Sequence, residues 1–437
     1  MISQIKFLDK MRTKSIFKNI EWVIIILLAL PAKAQTNQLT IEQCYALAKQ
    51  NYPLIKKHDL IARSGTFSLE NAGKLYLPQF LVTGQASYQS QTINFSDVLG
   101  ALPGPKPPAL SKDQYRIQAE INQQLYDAGN TRNQKEIIQA NTAIQQQNIE
   151  VSLYTLKDRV AQLYFSILLL SEQLTQNEIR KANLQSATDK TTASLQNGTS
   201  FKSSVDELQA EVASAEMANI EFRANRKAYL QLLSIFIGKP LDEKVELRVP
   251  GQQLNDLQIK RPELDLFVLQ KKVYDVQEKQ LKSDYLPKLN AFVQGAYGRP
   301  TLNIIENKFG AWWLGGLRLN WNLGSLYTLK NNREILKNSR DALDIDRETF
   351  LYNTNLTLSQ QNSESQKYAD LVMQDDAIIA LRASVTKAAQ AQLDNGVITA
   401  HEFISKLDAE NIARQSKILH TTQLLQSQYN YKNTSGN

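Results

Sequence analysis

Four stretches of the chain alternate between apolar and polar residues, which is the pattern of a β-strand with one apolar face. In the clearest stretch, from Trp313 to Leu323, Leu317 and Leu319 lie on one face and Arg318 lies on the other. The pattern predicts strands at about residues 77–90, 113–126, 288–298 and 312–323. Tryptophan and tyrosine lie near the ends of the predicted strands.

Long stretches of good helix formers follow each pair of predicted strands. Residues 130–196 contain neither proline nor glycine and are rich in Gln, Ala, Leu, Lys and Glu. At about 1.5 Å per residue, such a helix is roughly 100 Å long. Breaks at Asn197-Gly198 and Asn395-Gly396 predict that each long helix turns back on itself. The predicted long and return helices are about 129–196 with 203–236, and 326–393 with 400–429.

The spacing of prolines shows that the chain is a tandem duplication. Pro53 and Pro78 are 25 residues apart, as are Pro262 and Pro287, and each second proline ends a Tyr-Leu-Pro sequence before a strand pair. A repeated order of this kind indicates two similar halves of one unit. We therefore divide the chain into a first repeat at 35–238, a linker at 239–260 and a second repeat at 261–437, and we expect residues 433–437 to be frayed.

The first 34 residues have the features of a secretory signal peptide. A lysine-rich start precedes a short apolar core, and Ala32-Lys33-Ala34 fits a cleavage site. Either Met1 or Met11 fits as the true start. This segment contributes most of the formal net charge of +7, so the basic composition does not predict nucleic-acid binding. The single cysteine, Cys44, excludes an internal disulfide and is expected to pack as a small apolar residue on the first helix.

The predicted strands present an apolar face that four strands alone cannot bury. In a membrane, this face would contact lipid and the polar face would line water. A membrane sheet must also close, because hydrocarbon leaves edge groups unpaired, and about eight strands is the usual minimum for closure. The pattern therefore predicts an oligomer, and three copies would supply twelve strands.

The duplicated order of helix, Leu-Pro, strand pair, long helix, Asn-Gly and return helix resembles the TolC family of outer-membrane efflux proteins, over about residues 39–429. The resemblance implies a mainly α fold with a β-barrel contribution. In it, a homotrimer forms a 12-stranded β-barrel in the outer membrane, continuous with a 12-helix α-barrel in the periplasm of a Gram-negative bacterium. It implies the exit duct of a tripartite efflux system for small molecules. The implied partners are a periplasmic membrane-fusion adaptor, an inner-membrane pump of RND or ABC type, and lipid.

Two alternatives remain open at this stage. A channel of this fold could also serve as the conduit of a type I protein secretion system. A chain of another class, a periplasmic coiled-coil structural protein, would pack its strands on themselves. An enzyme is disfavoured, because the sequence has no phosphate-binding loop and no nucleophile motif, and its three histidines lack the spacing of metal ligands. No cofactor and no metal is predicted.

The resemblance assigns the two Asn-Gly breaks, Asn197, Gly198, Asn395 and Gly396, to the periplasmic tips where an adaptor docks. Acidic residues near these tips could form a ring that attracts cations in a narrow pore; a solvated charged face is the alternative. The candidates are Glu402, Asp394 and Asp206, with Asp408 further from the tip. A Tyr-and-Arg tip lock is not visible, since Leu393 and Ile398 stand at the expected positions.

Aromatic residues on the apolar strand faces predict a girdle at the membrane interface. The alternative is that they are ordinary core aromatics. The predicted lipid-facing girdle consists of Tyr88, Tyr115, Tyr297, Trp313 and Trp321. The proline-rich loop around Pro103–Pro108 and the loop from Pro300 to Ala311 would then face the cell exterior.

Overall fold

A computed structural model of the chain describes residues 38–93, 109–251, 258–303 and 305–437. The predicted signal peptide with its cleavage site, both alternative starts and the proline loop at Pro103–Pro108 lie outside the described residues. The described part is mostly helical, with four strands. Its helices are α1 (Ile41–Asn51), α2 (Ile55–Gly73), α3 (Asn130–Tyr154), α4 (Leu156–Gln196), α5 (Lys202–Ile237), α6 (Pro262–Asp284), α7 (Leu329–Asp394) and α8 (Ala400–Ser435).

The strands form one antiparallel sheet in the order β1, β2, β3, β4. They are β1 (Gln79–Tyr88), β2 (Asp113–Tyr126), β3 (Lys288–Arg299) and β4 (Gly310–Asn320). Strands β2 and β3 are far apart in sequence but pair along most of their length, so the two strand pairs join into a single sheet. The sheet is open, with β1 and β4 at its edges.

The register places the alternating residues on two distinct faces of the sheet. Phe80, Ile121 and Val293 lie side by side on β1, β2 and β3, as do Leu81, Glu120 and Gln294 on the opposite face. Gln294 Nε2 donates to Glu120 Oε2 at 2.7 Å, within a group of polar side chains that spans the strands. The apolar side chains are exposed, Phe80 at 75% and Val293 at 52%. One face is therefore apolar and open, and the other is largely polar.

Two long helix pairs extend from the sheet. Helix α4 packs along α5, α7 packs along α8, and α8 also contacts α4, so the two pairs lie side by side. Helix α7 alone has 66 residues, which corresponds to about 100 Å. Among the described residues, none of the helices combines the length and the apolar character needed to cross a membrane.

Two details differ from the sequence-based prediction. The first long helix is not continuous, because it is interrupted at Thr155 between α3 and α4. There Thr155 Oγ1 donates to Ser152 O at 2.9 Å and Ser152 Oγ to Asn148 O at 2.8 Å, and such side-chain bonds to the preceding turn bend helices. The expectation of a frayed C-terminus is wrong. Helix α8 continues to Ser435, and Asn433 is buried where its Nδ2 donates to Asp158 Oδ1.

A hydrophobic core lies midway along the helices, where the start, the linker and the end of the described chain meet. Cys44 is fully buried there, packed with Val160 and Phe165 of α4, and burial raises the pKa of its thiol to about 12. The Tyr164 hydroxyl lies 2.8 Å from Leu39 O and 2.7 Å from Arg248 O. It thereby ties the N-terminal segment to the linker, where Leu39 and Leu247 also form an isolated β-bridge.

A buried carboxylate connects the sheet to the helices. Asp127, directly after β2, accepts hydrogen bonds from Tyr76 Oη at 2.6 Å, Gly129 N at 2.9 Å and Thr131 N at 2.7 Å. Although Gly129 is the N-cap residue of α3, the Asp127 side chain supplies an acceptor for a backbone N–H group of the first helical turn. Burial alone would raise the pKa of Asp127, but these hydrogen bonds favour the charged form and hold its pKa at about 2.

We expect Asp127→Ala to destabilise the folded protein by about 1 kcal/mol or more, because two backbone N–H groups lose their acceptor. The folded pKa lies below the ordinary value of 3.8, so the carboxylate's contribution is complete above about pH 5 and is lost as the pH falls toward 2. Thermal melts of wild type and variant between pH 2 and 7 measure this. Their difference should shrink on acidification, and a pH-independent difference would contradict the role of the charge.

Candidate functional site at the helix tips

The two Asn-Gly turns have the same backbone geometry. Gly198 and Gly396 adopt left-handed conformations, with φ of +74° and +70°. In the first turn, Gly198 N donates to Leu195 O at 2.9 Å, and in the second, Gly396 N donates to Leu393 O at 3.0 Å. The next residue in each turn bonds five residues back, as in a Schellman motif. Asn197 and Asn395 are the C-caps of α4 and α7. Glycine is favoured at both positions because a side chain there would be strained.

The return helices begin differently at the two tips. Thr399 caps α8 in a capping box, with Glu402 N donating to Thr399 Oγ1 at 3.2 Å and Thr399 N donating to Glu402 Oε2 at 2.9 Å. The hydrogen bond from the Thr399 backbone lowers the pKa of Glu402, whose side chain is exposed. Phe201 stands at the cap of α5 and offers no side-chain acceptor. Glu402 therefore has a structural role at the start of its own helix and remains charged.

The other acidic candidates differ in their partners. Asp394 accepts from Lys190 Nζ at 2.6 Å and from Gln390 Nε2 at 2.8 Å. Although partial burial acts in the opposite direction, these two donors hold the pKa of Asp394 below its ordinary value. Asp206 is exposed and forms no ion pair with another described residue. Asp206 and Glu402 are thus the two candidates that form no ion pair with a described lysine or arginine.

An apolar cluster joins the two helix pairs close to the tips. Phe403 and Leu407 of α8 pack with Leu208 of α5, and all three are buried. Leu393 and Ile398, which occupy the expected positions of a tip lock, pack against this cluster. A hydrophobic contact therefore holds the two tips of one chain together, in addition to polar contacts such as that of Lys190 with Asp394.

An arginine reinforces this contact further from the tips. Arg180 of α4 has a side chain only 11% exposed, and its Nη2 donates to Glu211 Oε2 at 2.7 Å and to Asp408 Oδ1 at 2.8 Å. It thus bridges three helices, α4, α5 and α8. Asp408, which the sequence places further from the tip than the other acidic candidates, is part of this half-buried ion-pair network. Sequence reasoning missed the network, because its members are 31 and 228 residues apart.

Two histidines contact carboxylates in the helix pairs. His401 Nδ1 lies 2.8 Å from Glu207 Oε1 at the tips, linking α8 to α5. His420 Nδ1 lies 2.7 Å from Asp375 Oδ2 between α8 and α7. Each is a pair, and the described ranges contain no group of three or more residues that could hold a metal ion.

The aromatic residues predicted to form a girdle lie at both ends of the sheet. Tyr115 and Tyr297 stack on either side of Phe309 at the end far from the helices, with centroids 6.2 and 6.1 Å apart. Tyr88 and Trp313, also toward that end, are among the most exposed side chains. Trp321 lies beyond β4 at the helix end, where its Nε1 donates to Tyr285 O at 3.0 Å.

Sequence reasoning missed three exposed aromatics beside this set. Phe309 precedes β4, Tyr126 ends β2, and Tyr327 lies in the short 3₁₀ helix Leu323–Thr328. A signal was available for Phe309 and Tyr126, because each is an aromatic residue at or next to a strand end. They fall outside the strict alternation that was used to select the others.

Comparison with known proteins finds one family model that matches part of the chain. Residues 44–239 match the model of the outer membrane efflux protein family. That range runs from α1 through the first strand pair and the first helix pair to the start of the linker. No curated sequence matches the chain significantly.

Several solved structures share the fold over almost the whole chain. A crystal structure of CusC, from work on folding and transmembrane channel formation, superposes with a TM-score of 0.66 at 14% identity, covering 90% of this chain and 91% of that one. The outer membrane protein VceC from Vibrio cholerae gives 0.63 at 10% identity, covering 91% and 96%. The open-state MtrE outer membrane channel from Neisseria gonorrhoeae gives 0.63 at 12% identity, covering 91% and 88%.

The family match and the fold agree with the arrangement of open sheet, long helix pairs and paired tips. The sequence match covers residues 44–239, and the structural similarity extends the same fold over the second repeat. The first repeat is therefore similar in sequence to the outer membrane efflux protein family, and almost the whole chain has the fold of solved outer-membrane channels.

Proposed function

We propose that three copies of this chain form the exit duct of a tripartite efflux system, through which small molecules leave the periplasm. One observation carries the proposal: a single four-stranded sheet has two open edges and an exposed apolar face. In hydrocarbon the edge strands need partners, and four strands are too few to close a ring. If β1 of each sheet pairs with β4 of the next sheet, three sheets would give a barrel of twelve strands.

The faces of the sheet support this arrangement. The apolar face, with Val82, Val293 and Leu317, would contact lipid, while Glu120 and Gln294 would line a water-filled lumen. Strands of 10 to 14 residues are long enough to cross a bilayer when tilted. All four strands belong to one sheet, which argues against the alternative in which they pack on themselves in a soluble protein.

The helix pairs would continue the duct into the periplasm. Each repeat contributes one strand pair and one helix pair, so three chains would supply twelve long helices around a tunnel. Polar residues are frequent along α7, including Gln360, Gln361 and Asn362, and such a face would meet water in the tunnel. A tunnel of this kind would be a passive path. An inner-membrane pump of RND or ABC type would supply the energy for transport.

The turns at Asn197-Gly198 and Asn395-Gly396 would form the periplasmic end and the docking site of a membrane-fusion adaptor. Their shared geometry, despite unlike flanking residues, supports a shared role. Within one chain the apolar cluster around Phe403 and the Arg180 bridge hold the two tips together. Opening would therefore move each chain's tips as a unit, and closure would depend on contacts between chains.

The acidic residues at the tips would set the selectivity of the closed end. The carboxylates of Asp206 and Glu402 form no ion pair with a described lysine or arginine, whereas the carboxylate of Asp394 is paired with Lys190. Threefold symmetry would turn each of these carboxylates into a ring. A ring of negative charge in a narrow passage attracts cations and raises the cost of anions.

The orientation of the sheet is tested by adding the same charge to its two faces. Val293→Arg places arginine on the proposed lipid face and should cost about 2–4 kcal/mol near mid-membrane. The expected result is less heat-modifiable trimer in outer-membrane fractions. Gln294→Arg, the adjacent residue on the lumen face, lies beside Glu120 and should assemble nearly as wild type. Equal losses in the two variants would contradict the proposed faces.

The acidic ring is tested with Glu402→Gln, which removes three charges per trimer while glutamine still serves the capping box. Cation selectivity in planar bilayers should fall, and block by divalent cations should weaken. The effect should diminish toward 1 M salt, where the screening length is about 3 Å.

The matched variants are Asp206→Asn and Asp394→Asn. A change in selectivity with either of these but not with Glu402→Gln would place the ring elsewhere. If none of the three substitutions alters selectivity or block, the acidic residues form only a solvated face.

A further inference from the structure

The polar face of the sheet contains a hollow near the end far from the helices. Side by side across this face lie Gln85, Arg116, Gly298 and Gly310, and the neighbouring row ends with Ala296 and Trp312. Because Ala296, Gly298 and Gly310 have little or no side chain, the surface of the sheet is recessed between the side chains of Arg116 and Trp312. The segment Pro300–Leu302 borders it, and the cavity measures about 230 Å³.

Close packing of the backbone helps to maintain this hollow. A Cβ on Gly298 would lie 2.8 Å from the Cα of Arg116, and a Cβ on Gly310 would lie 2.8 Å from Thr301 Cγ2. Both distances are too short for real contacts, so a larger residue at either position would move β2 or the Pro300–Leu302 segment.

The donors around the hollow have unused capacity. Trp312 Nε1 is a buried atom with no hydrogen-bond partner among the described residues. Arg116 donates only to the neutral Gln85 Oε1, at 3.1 Å, and forms no ion pair within the described ranges. Arg299 is paired with Asp113, so Arg116 supplies the uncompensated positive charge. A buried donor without an acceptor is costly, and an anion would satisfy several donors together.

The lining also limits the body of the ligand. The described residues around the cavity include no carboxylate, and Pro300, Leu302 and Trp312 give it apolar and aromatic walls. Its volume is below the roughly 300 Å³ at which drug-sized pockets begin. The chemistry that fits is a compact aromatic ring bearing one carboxylate, which accepts from guanidinium and indole N–H groups.

We propose that this hollow is a binding subsite for small aromatic carboxylates in the wall of the barrel. The binding chemistry follows from one chain. Its place in the exit path rests on the proposed function, which assigns this face of the sheet to the lumen. Three such subsites per trimer would hold organic anions close to the outer mouth, after the acidic tips have been passed.

Benzoate is the probe, and its binding to the purified full-length mature protein in detergent is measured by saturation-transfer NMR and calorimetry. Wild type should bind benzoate with a dissociation constant in the millimolar range or tighter. Benzamide, of similar size but neutral, and benzylamine, which is cationic, should bind at least about tenfold more weakly. Equal binding of benzoate and benzamide, or no binding of benzoate, would overturn the proposal.

Arg116→Gln removes the free charge and should weaken benzoate binding by about tenfold or more. Arg318→Gln is the matched control, because Arg318 lies on the same face but over the Phe292 ring, at 4.5 Å, outside the hollow. It should leave affinity unchanged. Similar losses in the two variants would indicate a general effect of lumen charge and contradict a defined subsite.

Trp312→Phe keeps an aromatic wall and removes only the indole N–H, so it gives a second test if Arg116→Gln fails to assemble. It should weaken benzoate binding while leaving the weak benzamide binding unchanged, and unaltered benzoate affinity would count against the subsite. Conductance without benzoate separates this inference from the channel itself. A conducting wild type that ignores benzoate refutes only the subsite, whereas a binding protein that forms no pore refutes only the channel.

Discussion

The open edges of the four-stranded sheet impose the constraint on which the rest of this structure depends. The outer edges of β1 and β4 have no partner strand among the described residues, and a membrane leaves no water to satisfy their backbone groups. The alternating side chains add a second demand, because one face needs an apolar solvent and the other needs water. Association of several sheets into a closed ring satisfies both demands at once. The proposed location in the outer membrane provides the setting in which they arise.

The arrangement of the helices is consistent with the proposed ring of strands. Each strand pair leads into a helix pair, and the buried Asp127 fixes the direction in which α3 leaves β2. Midway along the helices the N-terminal segment, the linker and the end of α8 pack around Tyr164 and Tyr429. At the far end the cluster around Phe403 and the Arg180 bridge join the two helix pairs. A single chain is therefore held together at three levels, which suits it to the proposed role as one segment of a larger wall.

Sequence reasoning could predict the strands from their alternating residues and the ends of the long helices from their Asn-Gly turns. The alternation from Phe80 to Tyr88 is a local property, and so is the left-handed turn that Gly198 and Gly396 make possible. The interruption at Thr155 was not predicted, because it depends on a side-chain hydrogen bond inside a stretch of good helix formers. The order seen in Asn433 was also missed, since it comes from contacts with residues almost 280 positions away.

The acidic residues at the helix tips show the same limit of prediction from sequence. The pattern could select Glu402 and Asp408 as acidic residues near a turn, but it could not separate their roles. Glu402 is exposed and caps its own helix, whereas Asp408 is held by Arg180 from the other half of the chain. Pairings between distant helices depend on how the helices align, which a single sequence does not specify. The hollow beside Arg116 likewise emerged only when the register placed Gly298 and Gly310 next to it.

The most direct test of the account is a disulfide scan across the proposed seam between chains. Cysteine replaces Val82 on β1 together with Trp313, Gly315 or Leu317 on the same face of β4, with the buried Cys44 left in place. After oxidation in outer membranes, at least one pair should give covalent dimers and trimers and nothing larger, because three sheets close the ring. Monomers that stay uncross-linked in all three pairs, or a ladder that continues beyond three chains, would contradict the closed trimeric barrel.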